Sequence, residues 1–250
     1  LHGYLTVPKG SDGKQLPMVV YVHGGPHGPR DEWGFDPAVQ FLANRGYAVL
    51  QVNYRGSGGY GEKFMSAGYR KWGTTMQDDL TDAVKWAVGQ GIADAGRVCI
   101  FGGSYGGYAA LMSPEREPEL YKCAIGYAGV YSFDIQTHKS DTSEVKSGRT
   151  YLAEVLPSDE AERRRQSPAY NADKLKAAVM LVHGGKDERV PIENMHFMVE
   201  QMEKAGKKPE VVLVQDKEGH GFVEPAHNVD LYTRLQDFLE KHIGKGEGGD

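Results

Sequence analysis

Cysteine is scarce in this chain: Cys99 and Cys123 are the only two in 250 residues. That excludes a disulfide-rich scaffold, and because both fall in apolar, strand-like runs they are expected to be two buried thiols. Basic charge is not in excess either. A formal net charge of −5 and a pI near 6.0 leave no electrostatic footprint for nucleic acid. No apolar stretch approaches the roughly 20 residues that cross a bilayer, and no signal-peptide pattern is legible at the start. No His/Cys cluster has metal-ligand spacing, so neither a metal nor another cofactor is expected. Acidic or basic tails and internal repeats are lacking as well.

What remains is ordinary globular material, 40 % hydrophobic and 25 % charged, long enough for one domain with a substantial core. Residues 1–243 are expected to form that domain and 244–250 (GKGEGGD) a frayed tail. The chain begins at Leu1 rather than Met, which leaves open a leader or an upstream domain, and also the compartment, cytoplasmic or periplasmic.

Apolar runs at 4–7, 18–22, 47–52, 98–101, 121–127, 179–182 and 211–214 read as strands, and helical spacing appears at 37–44, 78–88, 105–113, 193–205 and 229–243. Pro114 is expected to stop the third of these helices. Strand and helix alternate nearly throughout, which predicts an α/β fold with a mostly parallel sheet and helices on both faces. Only 129–165 breaks the pattern. It is polar, with Tyr131, Phe133, Ile135 and Tyr151 scattered through it, and reads as an irregular connection that is either a lid or a mobile surface insertion.

The chain is organised around residues 97–112, RVCIFGGSYGGYAALM. Gly102-Gly103-Ser104-Tyr105-Gly106 is G-x-S-x-G between a strand and a helix, the pattern of a nucleophile elbow. Such a turn needs glycine on both flanks, and it presents the serine hydroxyl at the rim of the sheet. A serine attacks only if a base takes its proton, and a neutral imidazole suits that task. Downstream of Ser104, His220 sits between two glycines just past the strand at 211–214, with His227 its rival. Asp187, on the loop after the preceding strand, is the carboxylate expected to orient the imidazole; Glu188, Asp216 and Glu218 are alternatives. The glycine-rich stretch 53–61 lacks the spacing of a phosphate loop and reads as a structural loop near the site.

Taken together, HGGPHG at 23–28, NYRGSGGYG at 53–61, GGSYGGY at 102–108, HGGKDERVP at 183–191 and EGHGF at 218–222 resemble the catalytic domain of the prolyl oligopeptidase family of serine peptidases, over about residues 17–243. The likeness is strongest to its acylaminoacyl-peptidase and dipeptidyl-peptidase-like members. It implies an α/β-hydrolase fold with Ser104 as nucleophile, Asp187 as acid and His220 as base. It further implies an oxyanion hole from the backbone N–H groups of Tyr105 and Gly25, a hydrophobic pocket lined by Val130 and Phe133, and a substrate contact by Arg189. Short peptides are the implied substrates, with a carboxylesterase of the same fold as the alternative. Family members carry an N-terminal β-propeller that these residues do not supply. A homo-oligomer is left open.

Overall fold

The computed structural model describes residues 1–245; of the expected tail, 246–250 lie outside the described residues. Seven strands, β1 (His2–Thr6), β2 (Leu16–Val22), β3 (Ala48–Asn53), β4 (Ala93–Gly103), β5 (Cys123–Tyr127), β6 (Ala178–Gly184) and β7 (Val211–Gln215), form one sheet. Among the described residues ten α-helices accompany them, α1 (Pro37–Asn44), α2 (Glu62–Ser66), α3 (Thr75–Gly89), α4 (Tyr105–Arg116), α5 (Phe133–Lys139), α6 (Asp141–Glu144), α7 (Lys146–Val155), α8 (Glu160–Arg165), α9 (Glu193–Lys204) and α10 (Pro225–Ile243), with a short 3-10 helix at Pro168–Lys174. The strand order is β1-β3-β2-β4-β5-β6-β7, and β1 alone runs antiparallel, on the edge beside β3. Among the described residues no helix is long and apolar enough to cross a membrane.

The continuous apolar runs are explained by burial on both faces of this parallel sheet. Strand side chains alternate between faces. Met18, Val20, Ile100, Ala124 and Leu181 therefore pack with Leu80 of α3, Leu111 of α4 and Met198 of α9. Val19, Phe101, Ile125, Met180 and Val182 pack on the other face with Leu42 of α1 and Leu235, Phe238 and Leu239 of α10.

Three expectations are corrected. Cys99 and Cys123 are not separate thiols: they are in-register partners on β4 and β5, their Cα atoms 4.7 Å apart, and they form a disulfide. Nothing in two apolar runs 24 residues apart announced that they would lie side by side. Pro114 does not stop α4, which continues to Arg116. The Arg116 guanidinium donates to the carbonyls of Gly73 (2.9 Å) and Thr74 (2.5 Å) and to Asp78 (2.6 Å), anchoring the turn that proline weakens. The third is the stretch 129–165, which is not irregular but folds into α5 to α8. Ser132, Ser140 and Asp159 are polar because they cap α5, α6 and α8.

The extra turn of α4 carries Glu115 into the interior, 3 % exposed, with neither carboxylate oxygen hydrogen-bonded. Burial holds its carboxyl well above the ordinary range, against the weaker opposing pull of Lys174. The folded chain thus keeps a proton that the unfolded chain releases above about pH 4.5, and stability falls as pH rises from there toward the folded value. Glu115→Gln removes that loss. In urea titrations its stability relative to wild type is expected to grow between pH 5 and pH 7 by up to about 1.4 kcal/mol per pH unit; a difference that stays constant over this range contradicts the reading.

Candidate active site

Ser104 adopts φ 58° and ψ −119° at the junction of β4 and α4, a strained backbone for a residue with a Cβ. Its amide donates to Tyr127 O on β5 (2.9 Å) and its carbonyl accepts from Tyr108 N–H (3.0 Å), which fix the turn from both sides. The flanking glycines are required by close approach. A Cβ on Gly102 would lie 2.6 Å from the Val22 carbonyl oxygen, and one on Gly106 would collide with the same atom. A small cavity of about 160 Å³ opens over the elbow, walled by Gly103, Ser104, Tyr127, Ala128, His220 and Gly221.

His220 arrives on the loop after β7. Its Nδ1–H donates to Asp187 Oδ2 at 2.8 Å. A proton committed to Nδ1 leaves Nε2 as the basic nitrogen. Asp187, 5 % exposed on the loop after β6, accepts the Val190 N–H on Oδ1 (2.8 Å), so both carboxylate oxygens are occupied. Beneath it lies His183, fully buried. Its Nε2–H donates to Val190 O at 2.8 Å and lies 3.5 Å from Asp187 Oδ2, and burial lowers its basicity so that it stays neutral. The rivals have other employment. His227 Nδ1 bonds Glu218 at 2.6 Å, and the Glu218 carboxylate also accepts from Val223 N–H (3.0 Å) and Glu224 N–H (2.9 Å), bracing the His220 loop from within. Glu188 and Asp216 are exposed.

The HGGP turn lies against the elbow: a Cβ on Gly24 would be 3.4 Å from Ser104 Cβ. Gly25 is the next residue, with φ 120°, and Tyr105 is the first residue of α4. Two histidines of this motif do structural work that the sequence reading did not assign. His23 bonds the Gly24 carbonyl through Nδ1 (2.8 Å) and Ser57 Oγ through Nε2 (2.9 Å). His27 receives Trp72 Nε1–H on Nε2 (3.3 Å) and bonds the Gly56 carbonyl through Nδ1 (3.2 Å). Burial pushes both imidazoles down to about 4. Residues 53–61 thus serve as the structural loop expected of them, with Ser57 and Gly56 gripping the turn that touches Ser104.

The three residues expected to contact substrate are placed as follows. Phe133 is fully buried, stacked on Tyr108 with centroids 5.5 Å apart and edge-on to Trp72 at 5.6 Å, and Val130 is 3 % exposed. Both lie in the buried cluster on the α3, α4 and α9 face of the sheet, and neither is among the residues that wall the cavity over Ser104. Arg189 is exposed, and its Nε donates to both oxygens of Asp141 (2.8 and 3.1 Å), tying the Asp187 loop to α6.

The model of the prolyl oligopeptidase family matches residues 33–246. The chain belongs to that family. Among curated relatives, the dipeptidyl aminopeptidase BIII of Pseudoxanthomonas mexicana is 34 % identical over 98 % of this chain and 37 % of its own length. The acylamino-acid-releasing enzyme of Sus scrofa is 32 % identical over 96 % of the chain and 33 % of its own length. Among solved structures, the acylaminoacyl peptidase of Pyrococcus horikoshii superposes with a TM-score of 0.88 at 26 % identity, covering 99 % of this chain and 40 % of that one. A Mycobacterium tuberculosis puromycin-hydrolyzing peptidase gives 0.89 at 28 % identity, covering 98 % and 37 %. The chain therefore spans about a third of the length of the curated relatives it matches, and its sheet is that of a prolyl oligopeptidase family α/β-hydrolase domain.

The elbow of this family member makes a steric prediction. Gly106→Ala is expected to cost about 3 kcal/mol of stability, while Gly103→Ala, whose Cβ would meet nothing nearer than 3.9 Å, costs less than about 1 kcal/mol. Urea unfolding of the two variants checks this, and equal midpoints contradict the close-packed turn.

Proposed function

We infer that this domain is the catalytic part of a serine peptidase acting on short peptides. The observation that carries the reading is the 2.8 Å hydrogen bond from His220 Nδ1 to the buried Asp187 carboxylate, with His220 and Ser104 walling one cavity. In the mechanism, Ser104 Oγ attacks the carbonyl carbon of the scissile bond while its proton passes to His220 Nε2. Asp187 stays ionised and stabilises the imidazolium. The oxyanion that forms is held by the backbone N–H groups of Tyr105 and Gly25, donors that are fixed before the charge appears. The tetrahedral intermediate then collapses, the C–N bond breaks, and His220 returns the proton to the leaving amine. Water attacks the acyl-enzyme by the same route in reverse, restoring Ser104.

Peptides rather than oxygen esters are favoured because relatives that overlap nearly the whole chain are named as a dipeptidyl aminopeptidase and an acylamino-acid-releasing enzyme. Ser104→Ala is expected to lower kcat for an acyl-peptide or aminoacyl anilide by about 10⁴ to 10⁶, and Asp187→Asn by about 10⁴. Ser104→Ala retaining most activity excludes the mechanism. Wild-type turnover of a short acyl ester with none of the anilide would instead identify a carboxylesterase.

A further inference from the structure

A catalytic serine and its base must be held at a defined separation, yet Ser104 and His220 sit on loops 116 residues apart in sequence. The His220 loop is a hoop that is well closed on itself. Gly221 N–H donates to Gly219 O (2.9 Å), and the Glu218 carboxylate gathers the amides of residues 223 and 224. It is also tied to the acid: Lys186 N–H donates to Glu218 O at 2.8 Å. These bonds set His220 against Asp187. They do not set it against Ser104.

That second relation runs through Tyr127, the last residue of β5. Its main-chain carbonyl accepts the amide of Ser104 (2.9 Å), while its phenolic oxygen accepts the amide of Phe222, two residues past His220, at 2.5 Å. Its ring meets the Phe222 ring edge-on at 5.2 Å and walls the same cavity as Ser104 and His220. We propose that Tyr127 is a positioning residue that sets the span between nucleophile and base, through a hydroxyl on the base loop and a carbonyl on the elbow. The proposal rests on the serine-peptidase reading above. No other residue in the cavity wall is bonded to both sides among the described residues. Tyr127 itself contributes no proton to the chemistry; it acts through where it holds His220. The strand pattern at 121–127 concealed this role, because a tyrosine closing an apolar run reads as core.

Tyr127→Phe isolates the effect. The ring and the main-chain carbonyl stay, so the Phe222 contact and the Ser104 amide bond are preserved, and only the acceptor for the Phe222 amide is lost. A partly buried amide left without its partner drives the hoop to shift, and a displacement of about 1 Å at a reacting group is enough to slow chemistry by up to about 100-fold. The test uses the 250-residue chain and a fluorophosphonate, whose reaction requires Ser104 activated by His220. Wild type and Tyr127→Phe are compared for the rate constant of labelling and for its end-point, and for kcat and KM on an aminoacyl anilide. The expected result is a labelling rate constant and kcat about tenfold lower, with the end-point and KM within twofold of wild type. An unchanged rate constant overturns the proposal. So does a reduced end-point with an unchanged rate constant for the sites that label, which marks a purely structural role. Labelling that survives Ser104→Ala contradicts the serine-peptidase reading instead, so the two failures are told apart.

Discussion

The structure depends on one constraint: a serine held in left-handed backbone space where β4 turns into α4. Such a conformation costs on the order of 1–3 kcal/mol and persists only when its surroundings over-determine it. Here they do so by contact. The helix is pressed so close to β2 and β5 that Gly102 and Gly106 have the Val22 carbonyl where a side chain would be, and Gly107 has the carbonyl of Tyr127 in the same place. The two hydrogen bonds on the Ser104 backbone complete the clamp. The parallel sheet is therefore more than a scaffold, because its central strands supply the atoms against which the turn is strained.

The same logic extends outward from the elbow. Each loop at the rim of the sheet is fixed by its own buried polar group: His23 with Ser57 for the HGGP turn, His183 beneath the Asp187 loop, Glu218 inside the His220 loop. Burial keeps the first two imidazoles neutral, so they hold loops without placing charge beside the reacting atoms. The partner of His220 is the Asp187 carboxylate, whose two oxygens are shared between a loop amide and an imidazole, as the Glu218 carboxylate is shared between loop amides and His227. Division of labour among the histidines follows from position: His23 and His183 brace loops, and His220 opens onto the cavity beside Ser104.

Much of this was legible in the sequence, for identifiable reasons. The strands from β2 to β6 were readable because burial on both faces demands uninterrupted apolar runs, and the elbow because glycine on both sides of Ser104 has a steric cause. The contact between Asp187 and His220 was expected from the order of loops along the chain. What escaped reading depends on contacts between distant segments. Cys99 and Cys123 are partners only because β4 and β5 are neighbours in register. Helices α5 to α8 are four to ten residues long, too short for a periodic signal to rise above their caps. The packing of the Phe133 ring against Trp72 and Tyr108 likewise joins segments far apart in the chain.

The central claim is that Ser104 is the one activated hydroxyl of this fold and that His220 activates it. Its most direct test is to react the chain with a fluorophosphonate, digest it, and map the modified peptide by mass spectrometry in wild type and in His220→Ala. The account predicts a single adduct on Ser104 in wild type and no comparable adduct in the variant. Modification of another residue, or undiminished modification of Ser104 without the imidazole, would contradict it.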